Sequence, residues 1–222
     1  MKKLLLALGG LVIGLMAAQS ALAQDVKGNP NDGAKKVAQC IGCHGISGYH
    51  SSFPEVYRVP MIAGQSDSYI VAALVAYRNG ERKHPTMRGT AVGLSDQDMA
   101  DVAAHYAALG GNGAASDARV LSGDVAANAL KLVERGGCKS CHGEDFSKPI
   151  APGYPKIAGQ HADYLLIALT SYKMDSSPVM GRSNPVMGGI AKQFSNDELK
   201  LLAKYVGALP GQLKTVPQSK FK

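Results

Sequence analysis

Two copies of one five-residue pattern, Cys40-Ile41-Gly42-Cys43-His44 and Cys138-Lys139-Ser140-Cys141-His142, use every cysteine in the chain. Two thiols three positions apart, followed at once by an imidazole, can all reach one macrocycle from a single turn. The sulfurs add to the two vinyl groups of a porphyrin and the histidine offers a nitrogen to its iron, the attachment pattern of a c-type haem. Each copy is followed by glycine, Gly45 and Gly143. One copy alone would also suit a redox thiol pair. Two copies that leave no thiol over point to two covalently bound haem c groups. The competing reading, two structural disulfides in an exported domain, turns the histidine after each pair into a coincidence.

The start of the chain reads as a targeting segment. Lys2 and Lys3 precede an apolar run from Leu4 to about Ala18, and Ala21-Leu22-Ala23 supplies a small-residue cleavage site. Residues 1–23 are therefore expected to be a signal peptide, with Gln24 the first mature residue and the periplasm the destination. A membrane anchor is the alternative, but Gly9, Gly10 and Gly14 interrupt a run already short for a span of about 20 residues. No later stretch is long and apolar enough to cross a bilayer.

Without the signal the chain keeps 22 basic against 17 acidic residues, a charge of +5. Two haems with ionised propionates would bring this near +3 oxidised and +1 reduced, so basicity is a weak guide to partners. Nucleic acid is not expected, because no Lys/Arg cluster interleaves with aromatics.

The mature chain reads as a tandem duplication. Met61-Ile62-Ala63-Gly64-Gln65 returns as Lys156-Ile157-Ala158-Gly159-Gln160, Tyr69 and Tyr77 as Tyr164 and Tyr172, and Pro85-Thr86-Met87 as Pro185-Val186-Met187. Leu94-Ser95 and Tyr106 return in the same order as Phe194-Ser195 and Tyr205, so each unit spans about 95–100 residues. The expected boundaries are 24–112 and 113–222, joined by a Gly/Ala/Ser-rich linker at about 110–118.

Within a unit the periodicity is helical and the fold class is all-α, with strands only as short pieces. Asn31 or Asp32 is expected to cap a short helix running into Cys40, matched by a helix from about Asp124 to Arg135. Amphipathic runs start at Ser66 and His161 and reach about Asn79 and Lys173. Ser95-Asp96-Gln97-Asp98 and Ser195-Asn196-Asp197-Glu198 read as capping boxes opening the closing helices. Those helices should end near Gly110 and Pro210, with a tail from Lys214 that drapes over the surface or frays.

His44 and His142 each fill one axial position of an iron. A methionine as sixth ligand favours ferrous iron and suits electron transfer. Met87 and Met187 qualify by their equivalent places in the repeat, in Pro/Gly-rich loops rather than on an apolar helix face. Ser177-Pro178-Val179-Met180 resembles the second of these segments, but Met187 lies eight residues before Ser195, as Met87 lies eight before Ser95. Register thus favours Met187 over Met180. His50, His84, His105 and His161 are the alternatives for bis-histidine iron, and none has a repeat partner. His84 is expected at a loop surface, and His105 as a packed or surface residue. Carbonyls at Pro60 and Pro155 are candidates to accept the Nδ1–H of the proximal histidines. Gln65, Gln160, Tyr69, Tyr77, Tyr164 and Tyr172 are candidates for the haem edges or propionates, or for packing.

These features together resemble the diheme cytochrome c4 family over nearly the whole mature chain. The resemblance implies two class I cytochrome c domains, both His/Met ligated, with their haems facing. It also implies a periplasmic carrier moving electrons from a respiratory complex toward a terminal oxidase. The same plan occurs in the cytochrome subunit of flavocytochrome c sulfide dehydrogenase, so a flavoprotein donor and peripheral membrane association stay open. A diheme oxidase or peroxidase would need an open sixth position, and a thiosulfate-oxidising diheme enzyme a fifth cysteine, which the chain lacks. An electron-transfer protein without catalysis is therefore expected. Gly48–Arg58 departs from the pattern: it makes the first haem loop three residues longer than the second, and could cover a haem edge, line the domain interface or dock a partner.

Overall fold

A computed structural model describes residues 26–110, 121, 123–174 and 177–217. The expected signal peptide and most of the expected linker lie outside these residues. Among the described residues the chain is helical, with two pairs of two-residue strands. None of the described helices is long and apolar enough to cross a membrane.

The first half holds α1 (Pro30–Lys36), α2 (Ala38–His44), α3 (Asp67–Asn79), α4 (Pro85–Ala91) and α5 (Asp96–Ala108). The cap of α1 is Asn29, whose side chain accepts from the Asn31 backbone, rather than Asn31 or Asp32 as expected. Pro30 explains the shift: its fixed φ and missing N–H suit the first helical position, so the cap falls one residue earlier. The helix also breaks at Val37 before α2 begins. α1 packs chiefly on α5, closely enough that a Cβ on Gly33 would lie 2.0 Å from the Asp101 carbonyl oxygen. Asp101 anchors the contact, accepting from Asn29 N–H (2.8 Å), Lys36 Nζ (2.6 Å) and Gln97 Nε2 (2.8 Å). The core of this half gathers Val37, Ile70, Leu74, Met99, Val102 and Tyr106.

The second half repeats the plan with α6 (Gly123–Arg135), α7 (Lys139–His142), α8 (Ala162–Ser171), α9 (Pro185–Ala191) and α10 (Asn196–Ala208). Here α10 packs on α8 and α6, around Val133, Phe146, Phe194, Leu199 and Leu202. The capping boxes at Ser95/Asp98 and Ser195/Glu198 form as expected.

Two short sheets complete the fold. β1 (His50–Ser51) pairs antiparallel with β2 (Tyr57–Arg58), so the long loop of the first half is a hairpin. β3 (Arg82–Lys83) pairs with β4 (Gly181–Arg182) across the two halves, setting Arg82 opposite Arg182. The described part of the tail drapes onto the first half: Lys214 bridges Ala63, and Val216 packs on the first core.

Candidate haem sites

In the first half, α2 puts Cys40, Cys43 and His44 at i, i+3 and i+4, one face of one turn. In the second, α6 ends at Arg135, a Gly136-Gly137 turn follows, and Cys138 caps the single turn of α7. Gly143 then takes φ +82°, where a Cβ would lie 2.0 Å from the Lys148 carbonyl oxygen, so only glycine lets the chain turn there. None of the four cysteines pairs in a disulfide, which leaves all four for a porphyrin.

Both proximal histidines are oriented the same way. His44 Nδ1 donates to the Pro60 carbonyl at 2.8 Å and His142 Nδ1 to the Pro155 carbonyl at 3.0 Å. The proton thus sits on Nδ1 and leaves Nε2 with a free lone pair, the tautomer an iron ligand needs. Burial lowers both imidazoles below their ordinary value, so they are neutral and competent to ligate.

Met87 and Met187 do not lie in loops: each occupies the third position of a short helix, α4 or α9, begun by Pro85 or Pro185. The two helices are capped differently. Asn184 Oδ1 accepts from Met187 N–H at 3.0 Å, whereas His84 Nδ1 accepts from Met87 N–H at 3.3 Å. His84 is not at a loop surface as expected. It is partly buried, its Nε2 lies 3.1 Å from the Tyr57 hydroxyl, and burial followed by Arg82 and Arg182 lowers its pKa. Both ring nitrogens are therefore engaged.

One cavity of about 710 Å³ runs between the halves and is lined by both motifs, both histidines, Met87 and Met187. Met180 lines a separate small pocket with Phe53, Tyr57 and Ile167. Of the other histidines, His50 lines the main cavity, His105 packs edge-on against Tyr106, and His161 precedes α8. The long hairpin contributes Tyr49, Phe53 and Tyr57 to the cavity wall, and Arg58 reaches Asp163 of the second half at 3.0 Å. It serves both as cover and as interface.

Arg82 and Arg182 were not singled out by sequence, yet they face the cavity together. Arg82 donates to the hydroxyls of Tyr164 (2.7 Å) and Tyr69 (3.3 Å), and Arg182 to Tyr164 (3.1 Å). Their guanidinium groups lie over Tyr77, and over Tyr164 and Tyr172, respectively. Burial would raise the Tyr164 hydroxyl, but the two guanidinium groups overcome this and bring it down to about 8. Burial raises Tyr77 to about 12. Among the described residues neither arginine meets a carboxylate, and Arg82 Nε is buried without a hydrogen-bond partner. Two half-buried cations lining a largely apolar cavity fit a flat apolar group that carries its own acid substituents, such as the propionates of haem. The signal was present in the sequence: Arg-x-x-Pro-x-Met occurs at 82–87 and again at 182–187.

Gln65 and Gln160 line the cavity, but their amides are spent on the opposite half. Gln65 accepts from Lys156 N–H (2.9 Å) and donates to Lys156 O (2.9 Å). Gln160 does the same with Met61 N–H (3.0 Å) and Met61 O (2.8 Å). They are reciprocal clamps between the halves.

Comparison with known proteins agrees with this architecture. A family model for Cytochrome c matches residues 31–109 and 126–210. Cytochrome c4 from Pseudomonas aeruginosa is 31% identical over 184 residues, covering 82% of this chain and 89% of that one. A thiosulfate dehydrogenase electron acceptor from Stutzerimonas stutzeri is 29% identical over 225 residues, covering 97% and 99%. The crystal structure of reduced recombinant cytochrome c4 from Pseudomonas stutzeri aligns with a TM-score of 0.62 at 30% identity, covering 82% of this chain and 99% of that one.

Proposed function

The chain belongs to the cytochrome c4 family, and from that membership we propose a periplasmic two-haem relay that carries electrons from a respiratory donor toward a terminal oxidase. As a family member it binds two covalent haem c groups and transfers electrons rather than catalysing a reaction. Haem c supplies a one-electron iron couple. Everything else falls to the chain's own residues.

In this reading Cys40 and Cys43 anchor the first haem and Cys138 and Cys141 the second. His44 and Met87 ligate one iron, His142 and Met187 the other. The observation that carries it is the single cavity lined by both complete sets, with each histidine's Nδ1 already committed to a proline carbonyl. The lining by Met187 but not Met180 supports Met187 as the sixth ligand. With a histidine and a methionine from the chain holding each iron, no place would be left there for a substrate. Arg82 and Arg182 would hold the acid edges of both haems at the interface, bringing the two redox centres side by side.

A second reading places this protein downstream of a sulfur-oxidising dehydrogenase, as its electron acceptor. The relative named as a thiosulfate dehydrogenase electron acceptor matches almost end to end and favours it. It shares all the haem chemistry and differs only in the donor. The test is a near-infrared spectrum and a reductive titration of the holoprotein. Two sulfur–iron charge-transfer bands' worth of intensity per chain and two electrons taken up support the relay. A high-spin haem or peroxide turnover would sink it. Reduction rates with a quinol-oxidising complex against a thiosulfate dehydrogenase then separate the two donors.

A further inference from the structure

The peptide unit between Pro60 and Met61 is held at both ends by different halves of the molecule. Its carbonyl accepts His44 Nδ1–H at 2.8 Å, and its N–H donates to Gln160 Oε1 at 3.0 Å. The peptide between Pro155 and Lys156 repeats this in mirror fashion, with His142 Nδ1–H at 3.0 Å on its carbonyl and Gln65 Oε1 at 2.9 Å on its N–H. Each glutamine is buried, and its oxygen also accepts the N–H of the next residue, Ser66 or His161, at 3.0 Å. Its Nε2 is tied to the same opposite residue, as described above. The side chain has no freedom to let go of one bond while keeping the other.

An amide whose N–H is engaged carries more negative charge on its carbonyl oxygen, because hydrogen bonds in a chain polarise one another in a low-dielectric interior. A stronger acceptor at Nδ1–H makes the imidazole a more basic ligand, which favours ferric iron. We infer that Gln160 and Gln65 are crosswise positioning residues: Gln160, in the second half, tunes the iron of His44, and Gln65, in the first half, tunes the iron of His142. The inference deepens the relay reading and rests on His44 and His142 being the proximal ligands. Domain contact and redox tuning are then one device, since each half's clamp completes the other half's ligand field.

The experiment titrates holoprotein carrying Gln160→Met or Gln65→Met, with the two haems resolved by paramagnetic NMR through the Nδ1–H resonances of His44 and His142. Gln160→Met should shift the first haem several-fold toward the ferrous state, move the His44 resonance and leave that of His142 in place. Gln65→Met should do the converse. Gln160→Glu retains an acceptor, of higher charge, on Met61 N–H and should shift the first haem the opposite way, a sign that stays readable if the methionine variant does not fold. Equal movement of both haems in each variant, the same sign for Met and Glu, or no movement at all overturns the inference. If His44 or His142 gives no hyperfine-shifted Nδ1–H in the unaltered protein, the ligand reading itself fails instead.

Discussion

The first half reaches its haem motif through two short helices broken at Val37, and the second through one 13-residue helix followed by a double-glycine turn. The proximal loop is a paired hairpin in one half and lacks those strands in the other. The methionine helix is capped by His84 in one and by Asn184 in the other. Yet both deliver an imidazole whose Nδ1 bonds a proline carbonyl within 0.2 Å of the same length. What the duplication holds fixed is the direction of the ligands. The scaffold that brings them there is free to change, because a different loop or helix can hold the same proline carbonyl against the same imidazole nitrogen.

The largest effect that would break this equivalence is at the proposed sixth ligand. Met187→Ala should abolish half of the sulfur–iron charge-transfer intensity, whereas Met180→Ala should leave the near-infrared spectrum intact. An unchanged spectrum in the first variant would mean the repeat had been aligned wrongly.

Next is the glycine after each motif. Gly143 sits at φ +82° against the Lys148 carbonyl, while Gly45 has φ −100° and ordinary right-handed freedom. Gly143→Ala should cost about 3 kcal/mol in denaturant unfolding. Gly45→Ala should cost clearly less, though a Cβ there would crowd Ile41 O at 2.8 Å. Equal losses would show that the two motifs are held alike after all.

Asp101 has Leu201 as its repeat counterpart, so its anchor belongs to the first half alone. Asp101→Asn should cost about 2 kcal/mol, the loss of a charge-assisted bond to a buried acceptor. The bond to Lys36 holds the Asp101 carboxyl below the ordinary carboxylate range. Its contribution is therefore complete above that range and fades as pH falls toward the lowered folded value. Acid melts should flatten in the Asn variant, and a parallel acid profile would count against the anchor.

The smallest effect belongs to the partly exposed Arg58–Asp163 pair, where Arg58→Gln should cost under about 1 kcal/mol and weaken further as a difference in high salt.

Much of the site was legible because its signals are local. The capping boxes need only a serine and an acid three residues on, and the two proline carbonyls sit at a fixed place in the repeat. The helix of Met87 was read as a loop because one proline and a run of small residues carry no apolar period over seven positions. The glutamines' role as clamps was not legible, for a different reason. A carboxamide matches a backbone edge as well as a propionate, and their partners lie 91 and 99 residues away, a pairing that no local pattern encodes. Arg82 and Arg182 were missed although their spacing repeats, because a basic residue in a loop reads as a solvated charge until its tyrosine neighbours are seen.

The pairing of β3 with β4 sets Arg82 opposite Arg182, the same repeat position in each half. A contact in which a position meets its own equivalent lies on a two-fold axis, the mark of a self-complementary surface. A single unit bearing this surface would associate with another copy of itself, at the mercy of its concentration. Fusing the two units in one chain makes that encounter intramolecular and releases the copies from identity, as Met61 and Lys156 already illustrate at equivalent positions of the two clamps.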